Sequence, residues 1–106
     1  MLKQEPGNAA ANFNMGLLAA EQRDTASAER HLRTALKAEP HMDQAAYKLG
    51  LLVYKSDPKE GAKVLKRALE LNPNPRYAFT LGYVLRVQNK PDQAVSVLQT
   101  AAKRWP

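Results

Sequence analysis

No cysteine occurs anywhere in this chain. Disulfides and thiolate metal sites are therefore excluded, and the redox compartment stays undecided. Histidine is nearly absent too, with only His31 and His41. They form neither a His-x3-His pair nor a His-Glu-x-x-His motif, so nothing supports a zinc site, and both are expected at the exposed surface. No apolar run is long enough for a membrane span, and the opening residues Met1-Leu2-Lys3-Gln4-Glu5-Pro6 lack the apolar core of a signal peptide. The five glycines build neither a Walker-type phosphate loop nor a Gly-x-Gly-x-x-Gly fingerprint. Acid pairs such as Asp57 and Glu60 read as helix-capping groups. With no convergent nucleophile, base or metal set, neither catalysis nor a cofactor is expected.

Acidic residues also run short toward the C-terminus. Of the net charge of +6, residues 7–40 contribute nothing, residues 41–73 contribute +2 and residues 74–106 contribute +4. Such a gradient favours acidic partners and speeds their encounter without naming them.

What the chain has is a period. Ala35-Leu36-Lys37-Ala38-Glu39-Pro40, Ala68-Leu69-Glu70-Leu71-Asn72-Pro73 and Ala101-Ala102-Lys103-Arg104-Trp105-Pro106 are versions of one phrase, and Leu2 to Pro6 is a shorter fourth. The closing prolines stand 34, 33 and 33 residues apart. A repeat of this length cannot bury its apolar face alone, so neighbours must stack. The boundaries implied are 1–6 (the end of a preceding repeat), 7–40, 41–73 and 74–106.

Apolar spacing within each period predicts two helices: 9–21 and 26–38, 43–55 and 59–71, 76–88 and 92–104. Prolines and short polar breaks separate them. No useful stretch alternates with a period of two. Gly16, Gly50 and Gly82 fall at one phase inside the first helices, where each costs roughly 1 kcal/mol relative to alanine. Their recurrence implies close helix contact, with Leu32, Leu65 and Leu98 as the large residues that fill the space. The second period is one residue short between its helices, and Gly61 stands there in place of alanine. The third is one residue short before its glycine, around Asn74-Pro75.

These residues resemble the tetratricopeptide repeat family. The first copy reads Asn12, Met15-Gly16, Ala19, Ala28, Leu32, Ala35 and Pro40. The second reads Ala46, Leu49-Gly50, Val53, Gly61, Leu65, Ala68 and Pro73, and the third Ala78, Leu81-Gly82, Leu85, Ala94, Leu98, Ala101 and Pro106. No copy carries the family's early tryptophan. The resemblance implies an all-α fold, a right-handed superhelix of three antiparallel helix pairs, acting as a non-catalytic protein–protein interaction scaffold.

The resemblance also implies that first helices line a concave groove. Helical spacing selects Phe13, Leu17, Tyr47, Leu51, Tyr54, Lys55, Arg76, Phe79, Tyr83 and Arg86 for its wall, although Phe13, Tyr47 and Phe79 fit packing roles equally well. A protein or peptide with acidic and apolar residues is the partner expected. Some relatives clamp a C-terminal carboxylate with lysine, asparagine and arginine. The matching positions here are Phe13, Leu17, Lys48, Arg76 and Thr80, which do not preserve that clamp. Two alternatives remain open. Basic residues of the second helices, such as Arg30, Arg33, Lys63 and Lys66, could meet RNA phosphates, although Glu29, Glu60 and Glu70 read as their pairing partners. Uncapped end faces could support a homo-oligomer, with Leu2 packed on the first pair and Val84, Val95 and Trp105 on an open C-terminal face.

Overall fold

The computed structural model describes residues 8–106, and the expectations for residues 1–6, including Leu2, lie outside them. Among the described residues the regular structure is helical: α1 (Ala9–Glu21), α2 (Thr25–Ala38), α3 (Asp43–Val53), α4 (Pro58–Leu71), α5 (Pro75–Val87) and α6 (Pro91–Arg104). Consecutive helices pair as α1/α2, α3/α4 and α5/α6, and α3 and α5 also pack on the preceding pair. The result is an elongated body of 50 × 26 × 20 Å.

Local chemistry sets the helix starts. The side chain of Asn8 accepts from Ala11 N at 2.8 Å, Asp24 from Ser27 N at 3.2 Å, Asp57 from Glu60 N at 3.1 Å and Asn74 from Tyr77 N at 3.0 Å. Each satisfies one donor that the helix leaves unpaired. The Ser27 hydroxyl, and then its amide, hold the Asp24 carboxyl below its ordinary range. Prolines at the first positions of α4, α5 and α6 are preset for helical φ, so these helices begin one residue earlier than spacing alone implies.

The phased glycines form sockets. A Cβ at Gly16 would sit 3.0 Å from Leu32 Cγ, at Gly50 2.5 Å from Leu65 Cγ, and at Gly82 2.8 Å from Leu98 Cγ. The close neighbour is thus a leucine side chain of the paired helix. Leu32 and Leu65 are at most 1% exposed. Burying a leucine contributes about 1.5–3 kcal/mol, which outweighs the roughly 1 kcal/mol cost of a mid-helix glycine.

The turn inside the second pair differs from the other two. Arg23 and Asn89 each adopt φ 63° in the α1/α2 and α5/α6 turns. There Asp24 N donates to Ala19 O and Lys90 N to Leu85 O, both at 2.9 Å, closing the helix ends around a left-handed residue. The α3/α4 connection has no left-handed residue, and the chain from Gly50 to Gly61 is one residue shorter than from Gly16 to Ala28 or from Gly82 to Ala94. Its α3 ends at Val53, so Tyr54 is the C-cap and Lys55 lies in the turn; the helix expected to residue 55 stops two residues sooner. This shorter connection brings Tyr54 against α4, where a Cβ on Gly61 would lie 2.7 Å from Tyr54 Cα. Alanine stands at the equivalent Ala28 and Ala94, where the connection from the first-helix glycine is one residue longer.

Two placements correct the sequence reading. Val84 is fully buried, packed with Leu65, Leu81 and Leu85, so it belongs to the core rather than an open end face. His31 is half-buried, with its Nδ1 3.0 Å from Oδ1 of the buried Asn12. Asn12 Nδ2 also donates to Asn8 O at 3.0 Å. An asparagine thus occupies the family's tryptophan position by carrying its own hydrogen-bond partners into the core.

Candidate functional site

The predicted groove residues divide into two groups. Phe13, Leu17, Tyr47 and Tyr54 are half-buried. Phe13 packs on the cluster of Leu32, Ala35, Ala45, Leu49 and Val53, a structural role. Tyr47 is also committed. Its ring stacks on Tyr77 with centroids 4.5 Å apart, and its hydroxyl is 3.1 Å from Thr80 Oγ1. Thr80, at one of the clamp positions, further donates to Arg76 O at 2.8 Å.

The second group faces solvent. Phe79 and Tyr83 are each 51% exposed, one helical turn apart on α5. Leu51, Lys55, Arg76 and Arg86 are exposed as well. Tyr54 meets Tyr83 edge to face at 5.9 Å, which ties the α3 end to the middle of α5. Burial first, and then proximity to Tyr83, raises the Tyr54 phenol above its ordinary range. Large exposed apolar surface is therefore concentrated on α5 and reaches α3 through a tyrosine pair. Arg76 and Arg86 stand at the two ends of this strip.

Tyr77 escaped the sequence reading altogether. It is 6% exposed, and its hydroxyl donates to Asp43 Oδ2 at 2.7 Å. Asn72 Nδ2 donates to the same oxygen at 3.1 Å. Burial, and then the Asp43 carboxylate, push the Tyr77 phenol well above its ordinary range. The signal was a tyrosine at the position where the earlier pairs hold Ala11 and Ala45.

Other features were legible. Arg33 Nε lies 2.9 Å from Glu29, the expected pair along one helix. Its Nη1 also reaches Glu60 on α4 at 3.3 Å, so Glu60 bridges two helices instead of merely assisting a cap. At the chain's end faces, Met15, Leu18 and Val95 are 43%, 56% and 51% exposed, while Trp105 is half-buried beneath the Arg104 guanidinium. Among the described residues no group of acids and histidines is arranged to hold a metal, and no helix is long and apolar enough to cross a membrane.

The sequence model of the tetratricopeptide repeat matches residues 13–56 and 51–106. The chain belongs to the tetratricopeptide repeat family. Its fold is the family's all-α solenoid, a scaffold for protein–protein interaction. Among solved structures, MamA is similar at 19% identity and a TM-score of 0.87, covering 93% of this chain and 59% of its own. This tetratricopeptide chain thus spans little more than half of that relative's length. YrrB, described as a TPR protein with an unusual peptide-binding site, matches at 24% identity and a TM-score of 0.81, covering 92% of this chain and 51% of its own. An O-GlcNAc transferase mutant from Thermobaculum terrenum matches at 25% identity and a TM-score of 0.79, covering all of this chain and 21% of its own. The tetratricopeptide fold thus also occurs within an enzyme. A search of curated proteins finds no match.

Proposed function

We propose that this tetratricopeptide scaffold is non-catalytic and docks an extended partner segment along α3 and α5, through apolar side chains of the partner flanked by acidic ones. The observation that carries this reading is the exposed pair Phe79 and Tyr83 between Arg76 and Arg86. Aromatic residues and arginine carry a disproportionate share of interface energy because they bury large, rigid or multiply bonding surfaces. Burying an exposed phenylalanine contributes on the order of 1.5–3 kcal/mol, and the arginines orient the carboxylates beside it. Lys55 and Leu51 extend the strip toward α3. Phe13, Leu17 and Tyr47 serve chiefly to hold the helices beneath it.

The test is binding of a synthetic peptide that alternates leucine or phenylalanine with aspartate. Tyr83→Ala and Arg86→Ala are each expected to weaken binding by about 5- to 30-fold, the equivalent of roughly 1–2 kcal/mol. Isothermal titration calorimetry checks this. Unchanged affinity in both variants removes the α5 strip as the docking site.

A further inference from the structure

On the opposite side of the pairs, residues of α4 and α6 flank α5. Two recesses open there. One, of about 550 Å³, is lined by Lys59, Lys63 and Lys66 of α4, Lys90 of the turn, and Leu81 and Leu85 beneath. The other, of about 370 Å³, continues toward the C-terminal ends of both helices, past Leu69, Thr100 and Trp105. Ser96 and Val97 line both recesses, so the two join into one furrow at that point. The α4 stripe along it runs from Lys59 to Glu70, roughly 17 Å at 1.5 Å per residue. That length matches a partner helix of about three turns.

The repeat supplies an internal control. Ala28, Gly61 and Ala94 occupy one phase, so each second helix maps on the next at a step of 33 residues. Between α2 and α4 the equivalent positions hold Arg30, Arg33 and Lys63 against Glu29, Asp57 and Glu60. That set is balanced, and the Arg33–Glu60 bridge at 3.3 Å ties it across. Around the larger recess between α4 and α6 the acids are gone, whereas Glu70 and Arg104 line the smaller one. Glu29 becomes Ala62, Asp57 becomes Lys90 and Glu60 becomes Gln93, while Arg33 becomes Lys66. Lys63 of the earlier interface becomes Ser96, which leaves the waist of the furrow unfilled. Among the described residues, none of the four lysines around the larger recess has an ion pair.

We infer that the α4/α6 furrow receives an amphipathic helix of another protein, its apolar stripe on Leu81, Leu85 and Val97 and its acidic flank toward Lys59, Lys63, Lys66 and Lys90. An acidic helix supplies the carboxylates that Glu60 and its neighbours provide one repeat earlier, and a helix laid in an apolar furrow uses side chains at i, i+3, i+4 and i+7. A second copy of the chain is disfavoured as occupant, since a net charge of +6 meets its own sign. This surface is independent of the α5 strip.

The experiment titrates the isotopically labelled full chain with a synthetic amphipathic peptide, leucine along one face and glutamate on the others, followed by amide NMR. Shifts are expected at Lys63, Lys66, Ser96 and Val97. Lys63→Glu combined with Lys66→Glu is expected to weaken binding at least about tenfold. Ser96→Trp, which fills the waist without touching a charge, is expected to abolish it, and Tyr83→Ala with Arg86→Ala to leave it unchanged. The substituted positions are all exposed, and retained helical circular dichroism confirms that the variants fold. The inference is overturned if Ser96→Trp binds normally, if shifts fall on Phe79 and Tyr83 instead, or if an RNA oligonucleotide of equal charge binds more tightly than the peptide.

Discussion

The two interfaces between successive helix pairs are fastened on opposite sides. Between the first and second pairs, the outer side is crossed by Arg33 to Glu60. Between the second and third pairs, the inner side carries the fastening: Tyr47 stacked on Tyr77, Tyr47 against Thr80, Tyr54 against Tyr83, and Tyr77 bonded to Asp43. The outer side there is a furrow. The same backbone plan therefore serves two purposes. Where ions close the outside, the surface is neutral and self-satisfied. Where aromatics close the inside, the outer lysines around the furrow make no ion pair among the described residues.

The largest effect should come from unfastening the second interface. Tyr77→Phe keeps the stack but deletes the bond to Asp43, and is expected to lower stability by about 2 kcal/mol, as for a hydrogen bond to a charged group. Urea denaturation measures the loss, and hydrogen exchange should place it in α5 and α6, because repeat arrays lose local interface terms locally. The same bond has a pH signature. The Tyr77 phenol titrates above its unfolded value of about 10, so its contribution is complete below that pH and declines as pH rises beyond it. The alkaline fall in melting temperature should be shallower in Tyr77→Phe. A residual fall should persist, because Tyr54 is shifted in the same direction.

A smaller effect is expected from opening the first interface. Arg33 and Glu60 have side chains 44% and 31% exposed, so solvent screens the bridge. Glu60→Gln should cost about 0.2–1 kcal/mol, and a double-mutant cycle with Arg33→Gln should return a coupling in that range. A coupling of zero would mean that the ionic fastening contributes nothing. The smallest effect would come from copying that fastening onto the second interface. Gln93→Glu restores the acid opposite Lys66 and should add at most about 0.5 kcal/mol. Its sharper consequence would be weaker binding of the glutamate peptide in the furrow.

Much of this was legible beforehand, for physical reasons that differ by residue. The six helices and their glycine–leucine contacts show up because each reports a local constraint repeated at a fixed step. The cap at Asp57 is a matter of four consecutive residues. The bond from Tyr77 to Asp43 spans 34 residues and depends on how two pairs stack, which no local pattern encodes. Val84 was misplaced for a related reason: its partner Leu65 belongs to the preceding pair. The candidate strip was legible as a set of positions. Which of them remained exposed depended on the stacking that commits Tyr47 to Tyr77 and leaves Phe79 outside.

The glycine at position 61 differs in kind from the three sockets. Gly16, Gly50 and Gly82 each receive a side chain that could be trimmed to match, so a socket and its leucine can be exchanged between pairs as a unit. Gly61 receives the main chain of Tyr54. Main chain cannot be trimmed, so no substitution elsewhere on the surface can relieve a side chain placed there. Only an inserted residue in the turn would do so. The second pair is therefore the one module whose turn length and helix sequence must be inherited together, and a chimera that exchanges either alone should fail.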